Sequence, residues 1–422
     1  MLIRFRVENF RSIREEQELS MVASALTEHP ETLVPAGSGV RLLRAAAVYG
    51  PNASGKSSLF HALSFMREAV ADSHRSWSPY GGVPRTPFAL DRSSQTEPSL
   101  FAVDVLIGGV RYEYGFTADS TRVHEEWLYA YPRGRKQEWF TRDASRDVEF
   151  AFSRSLPGEN RAISALTRPN SLFLSAAAQN NHEQLLRVYR WFAQNLWIVD
   201  DSTRSYFENY AVEWCRSEPG RQSLLASLVS ADLGVTDIEF VESGLVPETQ
   251  EVFGLPSGPR AVDPTNLFFQ PPRVRLWHSG GGSGPSVALP FEQESRGTRT
   301  LFGLLGILAW CLKSGGTLVV DELDQSLHSH LARQIVTWFT SPVANPQAAQ
   351  LLFNTHDTNL LSEDLLRRDQ VWFTEKTFDG ATRLFPLTDF QARKNENLER
   401  GYLQGRYGAL PSLSDGFGVA HG

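Results

Sequence analysis

The stretch VYGPNASGKSSL, residues 48–59, holds Gly50, Gly55, Lys56 and Ser57 in the spacing G-x-x-x-x-G-K-S. Glycines let a backbone curl until successive N–H groups face one anion, and a helix starting there adds its positive end. RLLRAAAVYG, 41–50, ends in small and β-branched residues, as a buried strand does. SSLFHALSFMREAV, 57–70, places apolar residues at helical spacing. The reading is therefore strand, phosphate loop, helix. Gly50, Pro51, Asn52, Ala53, Ser54, Gly55, Lys56, Ser57 and Ser58 are expected to cradle a polyphosphate. Lys56 would reach its β- and γ-phosphates and Ser57 would hold Mg²⁺. Only five of the 41 basic residues are lysines, which marks a lysine in this turn as a chemical choice.

Farther along, GGTLVVDELDQSLHSH, 315–330, runs a short apolar strand into Asp321, Glu322 and Asp324. Crowded carboxylates repel, so a cation or a proton should be waiting there. A magnesium triphosphate supplies both: Asp321 is expected to orient the Mg²⁺ shell and Glu322 to activate the attacking water. The competing reading is an acidic helix start, which the helix dipole favours. QLLFNTHD, 350–357, puts His356 at the end of another apolar strand, where it could hydrogen-bond the γ-phosphate. FEQESRGTRTLFGLL, 291–305, opens a helix expected over about 297–313 with Glu294, Ser295, Arg296, Gly297 and Thr298. Such a start can bind phosphate or be an ordinary serine cap, and both readings stay open.

The bulk properties set limits. A chain of 422 residues with 41% hydrophobic and 11% aromatic content can bury a core spanning two or three domains, or one domain with an insertion. The longest apolar run, LFGLLGILAWCL at 301–312, is about half a membrane span. No signal-like segment follows Met1, and Cys215 and Cys311 make neither a disulfide framework nor a zinc cluster, so a cytoplasmic protein is expected. A net charge of −7 excludes a dedicated nucleic-acid coat.

LIRFRVEN alternates as a half-buried strand does, and FAVDVLIGGVRYEYGFTAD, 101–119, reads as a hairpin turning at Gly108-Gly109, with EEWLYAYP a further strand. Residues 71–100 read as a surface excursion. NNHEQLLRVYRWFAQNL, 180–196, and RQSLLASLVSADLG, 221–234, read as helices, and 243–290 is Pro- and Gly-rich with a tip at HSGGGSGPS, 278–286.

Together these motifs resemble the ABC-type ATPases of the RecF/SMC-like group. LIRFRVENFRSI is similar to that group's entry strand, GPNASGKSSL to its Walker A, and ESRGTRTLFGLL to its signature. VVDELDQSLHSHL is similar to its Walker B with D-loop, and FNTHD to its switch histidine. More closely, SLFLSAAAQNNHEQL and NENLERGYLQGRYGALP resemble the short ATPases of bacterial abortive-infection and antiphage systems such as AbiL, Septu and PARIS.

The resemblance implies an α/β ABC-type P-loop head with a mixed central sheet and an antiparallel β subdomain. Residues 1–154 would form its N-terminal half, 155–290 an inserted, mostly helical lobe, 291–411 its C-terminal half, and 412–422 a tail. It implies ATP and Mg²⁺ as cofactors, with Glu322 and His356 catalytic, Asp321 and Ser57 on the metal, and Asp324 at the nucleotide. Ser295, Gly297 and Thr298 would close over the ATP of a second copy, giving a homodimer. It also implies a separately encoded, nuclease-like effector, because the chain after His356 is too short for the nuclease domain of OLD-type relatives.

The alternative is a RecF-like ATPase acting directly on DNA through YPRGRKQEWFTR, 131–142, with Arg133, Arg135, Lys136 and Arg142. Three departures stand out. The signature lacks the transporters' Gly-Gly pair, Ser329 stands where relatives often have proline, and no Q-loop glutamine is assigned, Gln95 being unfixed. Phe10 and Arg11 are candidates for the adenine contacts.

Overall fold

Ala45–Tyr49, five consecutive buried residues, forms the strand that feeds the phosphate loop. It lies inside a six-stranded sheet ordered Leu196–Val199, Thr317–Val320, Gln350–Asn354, Ala45–Tyr49, Val371–Lys376, Thr382–Pro386. The first five strands run parallel and the sixth is antiparallel. Parallel strands covered on both faces need near-continuous apolar runs, and TLVV, QLLF and AAAV are such runs. The computed structural model describes residues 1–37, 39–231, 233–241, 273–279, 285–325, 327–390 and 397–410.

The helix Lys56–Asp72 is sandwiched between this sheet and a seven-stranded antiparallel one. The second sheet is ordered Phe150–Phe152, Gln137–Asp143, Val123–Tyr131, Val110–Ala118, Ser99–Ile107, Leu2–Glu8, Gln17–Ser20. Leu59, Phe60, Leu63 and Met66 of the helix share one core with Phe101 and Phe116 from this sheet and Val319 and Leu352 from the parallel one. The hairpin turns at Gly108-Gly109 as expected, with Ile107 opposite Val110. Gln350 ties the sheets together: its amide nitrogen donates to Leu2 O and Leu43 O, both at 3.0 Å. The architecture is the mixed α/β head that the motifs implied.

Three expectations change. The helix read over 180–196 is Leu185–Arg190 with one wider turn after it, Trp191–Asn195, and the chain then enters the parallel sheet as Leu196–Val199. An inserted lobe beginning at 155 therefore starts too early, because Leu185, Val188, Phe192 and Leu196 belong to the core beneath the phosphate-loop helix. Beyond Val199 the described residues of the expected lobe are also less helical than expected. The helices Arg204–Cys215 and Glu218–Ser230 accompany a three-stranded sheet of Val235–Val241, Arg273–His278 and Val287–Pro290. The core of the Gly-rich tip, 280–284, and the tail, 412–422, lie outside the described residues.

The third change concerns the basic stretch. Arg142 is 2% exposed, its Nε donates to Glu149 at 2.6 Å and its Nη1 to Ser171 O at 2.8 Å. Its register partner across the sheet is the buried Glu126, so it serves the core and is not available to a ligand. Lys136 lies 3.4 Å above the Tyr129 ring, which leaves Arg133 and Arg135 as the exposed arginines at that tip. Among the described residues no helix is long and apolar enough to cross a membrane.

Candidate nucleotide site

The loop between Tyr49 and Lys56 is tight at two glycines. A Cβ at Gly50 would lie 2.5 Å from Thr374 O, and Gly55, at φ 107°, faces the Thr382 hydroxyl too closely for any side chain. Three hydroxyls brace the loop from outside. Ser54 Oγ meets Thr374 Oγ1 at 2.6 Å, Thr382 Oγ1 donates to Ser54 O at 2.8 Å, and Ser12 Oγ donates to Ser58 Oγ at 2.8 Å. Inside, the Lys56 ammonium folds back on Gly50 O at 2.8 Å and Pro51 O at 3.1 Å. Among the described residues no protein acceptor meets the amide N–H groups of Gly55, Lys56, Ser57 or Ser58. A ring of orphaned donors around a buried ammonium at a helix start is what a phosphate chain requires.

Asp321 ends its strand beside the phosphate loop. Ser57 Oγ donates to Asp321 Oδ1 at 3.0 Å, bringing the loop helix and the strand end Thr317–Val320 together. A hydroxyl and one carboxylate suit Mg²⁺, which keeps several waters and takes few protein ligands beside phosphates. Glu322 comes next, in the left-handed region at φ 58°. That conformation costs a non-glycine residue about 1–3 kcal/mol and persists only where neighbours enforce it. The enforcing neighbour is Asn354, fully buried, whose Oδ1 accepts from Glu322 N at 2.6 Å while its Nδ2 donates to Asp321 Oδ1. Sequence reading gave Asn354 no role, although it sits two residues before His356.

His356 lies exposed beyond its strand, and its backbone N–H donates to both Asp324 oxygens at 3.3 Å. Desolvation first, then the Lys56 cation, lower its pKa, which keeps the ring neutral near pH 7. The same desolvation pushes Lys56 down to about 8 against the opposing pull of Glu322, Asp321 and Asp324. Gly50, Lys56, Ser57, Asp321, Glu322, Asp324 and His356 thus form one constellation.

Asp200 is a neighbour that the sequence reading did not single out. Val199 pairs with Val320, so Asp200 and Asp321 emerge side by side at the same sheet edge. One Asp200 oxygen is used by Ser202 N, Ser202 Oγ and Thr203 N, and the other faces His61 Nδ1 at 4.0 Å. His61 stands one helical turn past Ser57, so two helix residues face two strand-end carboxylates. Its trace in the sequence is the run LWIV ending in Asp, four residues that fit strand and helix equally. Gln95 is elsewhere, its amide on Ala89 O at 3.2 Å.

Ser295, Gly297 and Thr298 do not join the cluster. Ser295 caps the helix Arg296–Ser314, its Oγ accepting from Thr298 N at 3.1 Å, and among the described residues no hydrogen bond links these three to the phosphate loop. Ser295 and Arg296 are exposed. The helix reaches the carboxylate-bearing edge by its second turn, where Thr300, Gly303 and Leu304 border a small cavity shared with Glu322, Leu323 and Gln325.

Beside Ser58 opens a cleft of about 430 Å³. Arg11, Ser12, Phe88, Leu90 and Lys376 line it, so the excursion 71–100 supplies one wall, while Phe10 is buried against Phe65 and Phe101.

Residues 45–362 match the protein-family model described as "AAA domain, putative AbiEii toxin, Type IV TA system". No curated protein matches the sequence. Among solved structures, the SMC head domain from Thermotoga maritima is similar at 11% identity and a TM-score of 0.39, over 91% of this chain and 98% of that one. The Smc head domain with an extended coiled coil bound to the C-terminal domain of ScpA, from Pyrococcus furiosus, is similar at 10% identity and a TM-score of 0.41, over 92% and 97%.

Proposed function

Because this chain belongs to the AbiEii toxin-like AAA domain family, we propose that it binds Mg²⁺·ATP at the Gly50–Ser58 loop, hydrolyses it, and dimerises around it. The observation that carries this reading is the 3.0 Å contact between Ser57 and Asp321, beside the Gly55–Ser58 amides, which meet no protein acceptor among the described residues. Lys56 and the loop amides bind the phosphates, and the cleft beside Ser58 takes the nucleoside, with Arg11 and Leu90 against the base. When bound, Mg²⁺ would neutralise the phosphate oxygens from between Ser57 and Asp321. Glu322, held by Asn354, takes the proton of the attacking water, and neutral His356 donates to the γ-phosphate.

Among the described residues the exposed Ser295 and Arg296 make no hydrogen bond to the phosphate loop of their own chain, which supports completion of each site by a second copy. Glu322 borders the same small cavity as Thr300, Gly303 and Leu304 of the helix that Ser295 starts, which supports coupling of closure to the water-activating carboxylate.

The family name and the stretch NENLERGYLQGRYGALP support a role in antiphage defence, as in abortive-infection ATPases of the AbiL, Septu or PARIS type, with a separately encoded nuclease-like effector under control of the ATP cycle. The DNA-acting alternative now rests on Arg133, Arg135 and Lys136, since Arg142 is buried. Phosphate release from Mg²⁺·ATP, measured alone, with the product of the adjacent gene, and with DNA, tests the reading. Hydrolysis altered by the neighbouring protein supports it; no hydrolysis under any of these conditions removes it; stimulation by DNA alone favours the alternative.

A further inference from the structure

The stretch NENLERGYLQGRYGALP, 395–411, has no part in the proposed nucleotide site, and its described portion, 397–410, packs on Tyr49 and Phe373 of the parallel sheet. Asn397 Oδ1 accepts from Arg400 N at 2.7 Å and caps the helix Leu398–Leu403. The Tyr402 ring stacks on Phe373, centroids 5.4 Å apart at 17°, and meets Tyr49 edge-on at 5.9 Å. Tyr407 covers Phe373 as well, at 5.8 Å. Tyr49 immediately precedes Gly50, so this aromatic stack seats the helix directly behind the phosphate loop.

From that seat Glu399 reaches the histidine loop. Thr358 Oγ1 donates to Glu399 Oε1 at 2.7 Å, and Thr358 lies two residues after His356. On the other side of the loop, Asp324 accepts from His356 N. The loop is thereby gripped from the D-loop by one carboxylate and from the C-terminal helix by another. A hydroxyl donating to an ionised carboxylate is about twice as strong as a neutral hydrogen bond, enough to fix a loop otherwise exposed at His356 and Asn359.

We propose that Thr358 and Glu399 are positioning residues for His356, and that the segment 397–410 is therefore a control point for hydrolysis: whatever displaces this helix releases the histidine loop. The inference rests on the ATP-hydrolysing reading of the site and adds the element that sets its rate.

The test uses the full chain. Thr358→Val keeps the shape and removes the hydroxyl, Thr358→Ser keeps the hydroxyl, and Glu399→Ala removes the acceptor. The expected result is an ATP dissociation constant and KM unchanged in all three. The kcat should fall about tenfold in Thr358→Val and Glu399→Ala, stay near wild type in Thr358→Ser, and fall no further in the double variant Thr358→Val/Glu399→Ala. Equal kcat in Thr358→Val and wild type, or losses that multiply in the double variant, would overturn it. A wild-type chain that neither binds nor hydrolyses ATP removes the proposed ATPase function and this inference with it; hydrolysis that is insensitive to Thr358 removes this inference alone.

Discussion

Ser57 Oγ donates to Asp321 Oδ1 at 3.0 Å although 264 positions separate them in the chain. The contact exists because the strands Ala45–Tyr49 and Thr317–Val320 are parallel members of one sheet with Gln350–Asn354 between them, so all three deliver their ends to one edge. Replacing the carboxylate while keeping its shape tests what it holds. Asp321→Asn is expected to bind ATP with an affinity that no longer responds to Mg²⁺, read by titration with and without a chelator. An unchanged magnesium response would remove Asp321 from the metal.

Glu322 is expected to be needed for hydrolysis and dispensable for binding. Glu322→Gln should keep the left-handed backbone, because Asn354 grips the backbone N–H and not the side chain. Turnover should fall about a hundredfold or more, the usual yield of a general base, and an ATP-bound dimer should accumulate in light scattering. Wild-type turnover in this variant would reject the role.

Ser295→Arg should separate binding from closure. Among the described residues the Ser295 hydroxyl hydrogen-bonds within its own helix start, so the variant is expected to bind ATP as a monomer with wild-type affinity and fail to dimerise even in the Glu322→Gln background. Normal ATP-dependent dimerisation by that double variant would show that this surface does not seal a second site.

The depressed Lys56 predicts a pH dependence of definite sign. The lysine titrates near 8 in the free protein. A bound triphosphate favours the charged form and raises that value, so binding takes up protons around pH 8 and affinity falls as pH rises through it. Toward about pH 6 the lysine is charged in both states and its contribution flattens. For the protein without nucleotide, a lysine depressed on folding makes stability rise as pH climbs from about 8 toward its ordinary value, 10.5. Titrations in buffers of different ionisation heat measure the uptake. Lys56→Arg stays charged and should lose the slope; the same slope in both would assign it to another group.

The sequence made the nucleotide constellation legible because each part is a local pattern: a glycine-spaced loop, an apolar strand ending in Asp-Glu, a second ending in Asn-Thr-His. What stayed hidden was decided by tertiary pairing. LWIV after a helix carries no period that separates strand from helix in four residues, so Leu196–Val199 and the adjoining Asp200 could not be read from it. Arg142 looks like a surface cation in the sequence because its neutralisation by Glu149 and its place opposite Glu126 depend on sheet register. Asn354 looks like part of a motif around His356, and only the neighbouring strand end shows that it holds Glu322 in position.

The central claim is that these separated loops act on a single triphosphate, and calorimetric titration of Mg²⁺·ATP into wild type and Lys56→Ala tests it most directly. Lys56→Ala removes a charged donor worth about 1.5–3 kcal/mol, so its affinity should drop by at least tenfold while its fold persists. A variant that binds ATP as tightly as the wild type would contradict the account.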